Sequence, residues 1–389
     1  MRNIMGVVAV FAIAACGPSV SGGVDGGNTG QSCTTENETR CVGQGYQVCR
    51  GGFWQIDATC EATKECDPSL GCVDCRPSLE STCVGNDVYT CNSDGTIGGF
   101  ELSCGQDSCV NGSCSDDCTA DGVDLIYVVD DAYAFYSFDP RKLGGAQDPF
   151  TLIGNLDCGS CTAWPEWVGG CTPFSMSVDR DGTAWVLYTS GDIFHVDVTT
   201  AQCSPSGFTK GQSPAGGPAG GFKLFGMGFV ADAAGGNEET LYIAGGPVDA
   251  QGATGYMGAI DPNTMSVRSI GALQSAEFSP ELTGTGDAEL FGYYPGLSTS
   301  MIANLNKGTG QQGMSWPMAG LGGTVSAWAF AHWGGKFYVF ASTSDILGGS
   351  ESNVLLLDPG DGSETTVLPN HGRQIVGAGV STCAPIFVP

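Results

Sequence analysis

Five segments in the C-terminal two-thirds of the chain alternate bulky with minimal side chains. They are Phe174-Ser175-Met176-Ser177-Val178, Phe225-Gly226-Met227-Gly228-Phe229, Thr283-Gly284-Thr285-Gly286, Ala327-Trp328-Ala329-Phe330-Ala331 and Val376-Gly377-Ala378-Gly379-Val380. Alternation with period two belongs to a strand whose two faces meet different surroundings. One face here admits almost no volume. Glycine weakens a strand, so small residues recurring on one face imply that a second backbone comes close there. The innermost strands of a β-propeller, where blades converge on an axis, impose that demand once per blade.

Two further five-member series accompany these segments. A second strand, rich in aromatic and branched residues, recurs at 125–129, 184–188, 241–244, 289–294 and 336–341. A third ends in a turn at Phe138-Asp139-Pro140, Val196-Asp197-Val198, Ile260-Asp261-Pro262, Leu305-Asn306-Lys307 and Leu357-Asp358-Pro359. Asp or Asn opens such a turn with its side-chain acceptor, and Pro presets φ. The unit recurs about every 55 residues, in a chain whose 62 glycines and 14% charged residues favour turn-rich β structure. The expected fold is all-β: a five-bladed β-propeller over residues 119–389. Its first unit begins with a second strand at Leu125, and the missing inner strand is the leftover copy at 375–380. The C-terminal strand should therefore close the ring and remove the exposed sheet edges.

Cysteines organise the other third. Of the 19, thirteen fall between Cys33 and Cys118. Cys33, Cys41, Cys49, Cys60, Cys66 and Cys72 are echoed by Cys75, Cys83, Cys91, Cys104, Cys109 and Cys114, the first three at an offset of 42, with Cys-Val-Gly at the second cysteine of each copy. Two small disulfide-rich modules follow, at 33–72 and 73–118, the second including a linker. Each is too short to bury an adequate core, so crosslinks must restrict the unfolded chain instead. Zinc at Cys72 and Cys75 is the weaker reading, because that pair straddles the repeat boundary and no His stands nearby. Twelve cysteines fill the modules, which leaves Cys118 with Cys158, Cys161, Cys171, Cys203 and Cys383. Ring closure brings Cys383 near the residues before Leu125, so a Cys118–Cys383 inter-domain bridge is expected. The pairing of the other four, and of those within each module, stays open.

The N-terminus carries Met1-Arg2, an apolar run from Ile4 to Ala12, and Ile13-Ala14-Ala15-Cys16-Gly17. Two small residues before a lone Cys resemble a bacterial lipobox, giving a signal peptide over 1–15 and acylation of Cys16. Residues 16–32, nearly without apolar side chains, read as a flexible lipid-anchored tether.

From Pro173-Phe174-Ser175-Met176-Ser177-Val178-Asp179 through Glu281-Leu282-Thr283-Gly284-Thr285-Gly286-Asp287 to Val376-Gly377-Ala378-Gly379-Val380-Ser381-Thr382-Cys383-Ala384-Pro385, residues 120–389 resemble a group of bacterial surface lipoproteins with propeller-like domains. The resemblance implies a fold and a place at the bacterial outer membrane or cell surface; it implies no activity. The pattern departs from other propellers in lacking a Trp-Asp pair and a regularly spaced double glycine. The cysteine modules resemble disulfide-rich repeats that act as stalks or contact modules.

The charge balance is 41 acidic to 14 basic side chains, net −27. Such a surface repels phosphate backbones, which argues against a nucleic-acid partner. No Ca²⁺ loop of the D-x-[DN]-x-[DN]-G type is present, the three histidines (His195, His332, His371) are far apart, and no G-x-S-x-G elbow occurs. Asp179-Arg180-Asp181-Gly182 reads as a hairpin turn with Gly at positive φ. Gly284-Thr285-Gly286-Asp287 lacks the Lys and the helix of a phosphate loop. No metal, cofactor or catalytic residue is expected. Ligand-binding candidates lie where loops converge on one face: Trp164 and Trp167 on a cysteine-fixed loop, suited to stacking on a sugar, with Lys223, Glu281, His371 and Arg373 near the strand starts. The reading is a monomeric, lipid-anchored surface protein that binds a glycan or protein without chemistry. The alternative is a hydrolase or lyase using axial carboxylates, which for a glycoside requires two carboxyl groups about 5 to 9.5 Å apart in an open pocket.

Overall fold

The computed structural model describes residues 28–386, apart from 62, 86, 104–107, 111, 116–117, 119, 168–169, 248–254, 275–278, 322–323 and 345–348. The signal peptide, Cys16 and most of the tether lie outside the described residues. The fold is all-β and propeller-like. Five four-stranded antiparallel sheets follow one another, I to V, and in sheets II to V the strands are consecutive: 173–205, 224–272, 281–319 and 324–368.

Sheet I is composite. Its strands Ile126–Asp130, Ala134–Phe138 and Phe150–Asn155 come from the start of the domain, and the fourth is Ile375–Val380 from its end. The pairing is antiparallel, with Ile126 opposite Val380 and Val129 opposite Gly377. The first segment of the domain thus gains its inner strand from the last.

Side chains hold the sheets to one another, and alternation along each strand explains how. In sheet I, Ile126 and Val128 pack with Phe138, Phe340 and Trp333 of the interface with sheet V. Tyr127 and Val129, one residue out of phase, pack with Val186 and Phe194 of sheet II. Three more apolar clusters fill the junctions II–III, III–IV and IV–V. Each inner strand contacts the next, and Thr324–Trp333 of sheet V contacts Ile375–Val380. The sheets thus meet by packing in a cycle, without shared backbone ladders.

The small residues of the inner strands are the sites of closest approach. A methyl group placed on Gly226 would lie 2.4 Å from the Pro280 carbonyl oxygen, and one on Gly379 would lie 2.8 Å from Ser177 Cα. Backbone meets backbone there, so no side chain fits. Serine and threonine on these strands bond the next strand: Phe229 N–H donates to Ser177 Oγ (2.8 Å) and His332 N–H to Thr283 Oγ1 (3.2 Å).

Three bridges in the first cysteine module pair Cys33 with Cys49, Cys41 with Cys66 and Cys60 with Cys72. The second repeats the order, with Cys75–Cys91 and Cys83–Cys109. Eight bridges stand among the described residues, a density compatible with an extracellular or surface protein. No described helix is long and apolar enough to cross a membrane.

Two expectations need correction. The tether read over 16–32 ends early: Asn28–Ser32 is a strand on the edge of Phe53–Thr59. Ladder bonds use backbone groups, so a polar, glycine-bearing segment can supply them without apolar side chains. The first module is also no free stalk. Val42 is buried among Phe291, Trp316 and Leu357 at the IV–V junction, and Gly45 lies against Gly360 so tightly that a methyl group would come 2.6 Å from its oxygen. Arg76 of the second module bonds Asp287 at 3.0 Å. Both modules lean on the end where inner strands finish, here called the lower face; the upper face is where they begin.

Candidate functional site

The candidate residues fall in three places. On the upper face, the loop between sheets I and II is fixed by Cys158–Cys203 and Cys161–Cys171. It carries Trp164, whose Nε1–H donates to the Lys223 carbonyl at 3.3 Å and whose ring packs on Gly191, where a methyl group would meet it at 2.7 Å. The amines of Lys223 and Lys210 stand 4.8 and 5.6 Å from the ring centre. Lys223 is also paired with Glu166 at 3.0 Å. Trp167 packs edge-on against Phe174 at 5.7 Å. Both tryptophans are partly buried against the apolar cluster of the II–III junction.

Glu281 begins the inner strand of sheet IV and points inward. It is 5% exposed, and Ser175 Oγ–H donates to its Oε2 at 2.7 Å. Burial pushes its carboxyl up to about 8, against the smaller lowering effect of the bonds from Ser175 and the Met227 backbone. At neutral pH it is protonated. A sealed, neutral carboxylic acid is a packing element of the axis.

His371 and Arg373 lie in the segment 369–374 that leads into the closing strand. Burial holds His371 down to about 4, so its ring is neutral. It packs on Phe150 at 5.1 Å, and Arg373 lies over Phe150 at 4.5 Å while bonding Asp148 at 2.7 Å. Both face sheet I. Their alternate neighbours Asn370, Gly372 and Gln374 line a cavity of about 680 Å³. An extended chain divides successive side chains between two faces, so the candidates His371 and Arg373 do not line this cavity while residues beside them do.

That cavity opens on the upper face of sheet V. Thr343, Ser350, Glu351, Asn370 and Gln374 line it, with Leu321 as an apolar wall. Gln374 already donates to Asp131 at 3.0 Å. The side chains of Thr343, Ser350, Glu351 and Asn370 make no hydrogen bond among the described residues. The loop 342–352, one of those expected from the sequence to converge on this face, supplies much of its lining.

No protein-family model and no curated protein matches the chain. Among solved structures it is similar to hydrazine synthase of Kuenenia stuttgartiensis, at 12% identity over 58% of this chain and 57% of that one, with a TM-score of 0.32. It is similar to an exo-β-1,3-galactanase of Phanerochaete chrysosporium, at 10% identity over 54% and 52%, with a TM-score of 0.37. The Dos1 propeller is similar at 10% identity over 76% and 77%, with a TM-score of 0.33. The chain spans little more than half the length of the first two. These scores are too low for any of the named activities to pass to this protein.

The lower face holds a polar cluster that sequence reasoning missed. Arg180, 5% exposed, donates from Nη1 to Thr382 Oγ1 at 3.0 Å and from Nη2 to Cys118 Sγ at 3.2 Å. Thr382 Oγ1–H donates to Glu239 Oε2 at 2.7 Å, and Arg180 N–H to Glu239 Oε1 at 2.9 Å. Burial raises the Glu239 carboxyl to about 7. Cys118 and Cys383 are bonded beside this cluster. It ties sheets I, II and III to the incoming chain, a structural task. The Asp179 turn is also structural: Oδ1 accepts from Thr183 N–H at 2.8 Å and Gly182 has φ +74°. Among the described residues no three His, Cys, Asp or Glu side chains gather to hold a metal.

Proposed function

We propose that this is a lipid-anchored surface protein of a bacterial outer membrane or cell surface, acylated at Cys16, whose domain binds a glycan without chemistry. In this reading the five sheets are blades of a five-bladed propeller closed by the C-terminal strand. The unbroken cycle of inner-strand contacts supports it. The observation that carries the binding function is the upper-face cavity, whose Thr343, Ser350 and Asn370 side chains offer neutral donors and acceptors that no other described residue uses. Sugar hydroxyls need such partners, and the cavity has the size of a small-ligand site. A hydrolase would need an accessible pair of axial carboxyl groups; the axial Glu281 is buried and engaged by Ser175.

Two experiments test the reading. Glycan-array screening of the mature chain should return ligands whose binding falls about tenfold or more in T343A and N370A, each lost bond being worth roughly 1 to 2 kcal/mol. Ligands that bind both variants as well as the native protein would remove the cavity from the function. Mass spectrometry of the mature N-terminus should find a diacylglyceryl group on Cys16, and an unmodified Cys16 would remove the anchor.

A further inference from the structure

The two cysteine modules are copies of one design, and one lacks a strand that the other has. In the first, the chain enters with Cys33 N–H donating to the Gly52 carbonyl (3.0 Å), and the residues just before it, Asn28–Ser32, run along the outer edge of Phe53–Thr59. In the second, Cys75 N–H donates to the equivalent Gly95 carbonyl (3.2 Å). The residues before Cys75 cannot continue along the edge of Ile97–Ser103, because Gly71–Val73 is already paired with Glu65–Asp67 in the last hairpin of the first module. The first module therefore has a four-stranded sheet and the second a three-stranded one ending at Ile97–Ser103. Among the described residues that edge pairs with no further strand.

The edge is lightly guarded. Ile97-Gly98-Gly99-Phe100-Glu101-Leu102-Ser103 has one charge, Glu101, and irregular register against Asp87–Cys91, but no basic residue and no proline. Ile97 and Phe100 are 42% and 57% exposed, and nothing stands within 4 Å of where a Gly99 side chain would be. From Pro77 to Cys118 the sequence has seven acidic residues and no Lys or Arg, in a chain of net −27. A second copy would bring the same charges to a contact only one short strand long, far below the area a stable dimer buries.

We propose that Ile97–Ser103 is a docking edge for an extended, lysine- or arginine-bearing segment of a partner polypeptide, which adds the strand that Asn28–Ser32 supplies in the first module. Ladder bonds hold the added strand, Ile97 and Phe100 receive its apolar side chains, and the Glu101 carboxylate, one oxygen of which accepts from Ser81 Oγ–H at 2.7 Å, meets its cation with the other. The inference is independent of the glycan cavity, which lies on the opposite face.

The test uses the full mature chain and a synthetic ten-residue peptide alternating Lys and Val. Binding should slow amide exchange across 97–103 and weaken about tenfold in the I97S/F100S double variant and severalfold in E101Q, with disulfide content unchanged. Equal affinity in native and variant chains would mean general attraction to an acidic surface and would overturn the proposal. So would absence of binding, or a self-association that I97S/F100S abolishes, which would give the edge to a second copy.

Discussion

Ser175 and Glu281 meet at 2.7 Å although they belong to inner strands of sheets II and IV, with sheet III between them. A hydroxyl and a carboxyl can reach across the axis only because the intervening strand presents Gly226 there; a methyl on Gly226 would come within 3.1 Å of Glu281 Oε2. The contact ties sheets II and IV directly to each other.

Replacing Gly226 should therefore be severe. G226V forces a branched side chain against the Pro280 carbonyl, where flexible relief is absent, and should cost about 3 kcal/mol or more. Denaturant unfolding checks it, with G170A as the control, since nothing stands within 4 Å of the Gly170 site and its backbone is not in the left-handed region. A G226V protein as stable as G170A would remove the close-approach account.

The protonated Glu281 predicts a pH dependence. Its folded value of about 8 lies above the ordinary 4.5, so the folded state holds a proton that the unfolded state releases. Its contribution to stability is complete below about pH 4.5 and is lost as pH rises through about 8. Compared with E281Q, the native protein should lose melting temperature between about pH 5 and about pH 9. Parallel curves for the two proteins would show that Glu281 is ionised at neutral pH.

Closure by the tail should dominate stability. Ending the chain at Gln374 removes the inner strand of sheet I and exposes Ile126 and Val128, so the truncated protein should fail to fold. The milder change, C118S/C383S, opens a loop spanning 265 residues and should cost up to about 5 kcal/mol by the chain-entropy argument. Thermal unfolding under non-reducing conditions measures it; an unchanged midpoint would mean the lower-face cluster around Arg180 suffices.

Trp164 serves packing, so W164A should destabilise by about 2 to 4 kcal/mol. Glycan binding at the sheet V cavity should not change. Loss of binding with unchanged stability would instead make Trp164 a ligand platform.

Much of this was legible in the chain. The crowding at Gly226 and Gly379 follows from side-chain volume alone, because a strand with no Cβ on one face has few reasons other than a neighbouring backbone. The partner of Ile375–Val380 was legible as well: a unit that starts one strand late leaves a vacancy, and one surplus strand matches it. The repeat of the cysteines marked the two modules.

What the sequence could not reveal depends on which of two sides a residue takes. Asn370 and His371 are neighbours with interchangeable claims to a binding role, and only the packing of Phe150 turned His371 inward and left Asn370 at the cavity. The same holds for Asn28–Ser32, whose polar side chains say nothing about pairing because backbone groups make the ladder. Local side-chain volume and spacing marked three strands of each repeating unit; the facing of each loop residue was settled by long-range contacts between sheets, which no local pattern encodes.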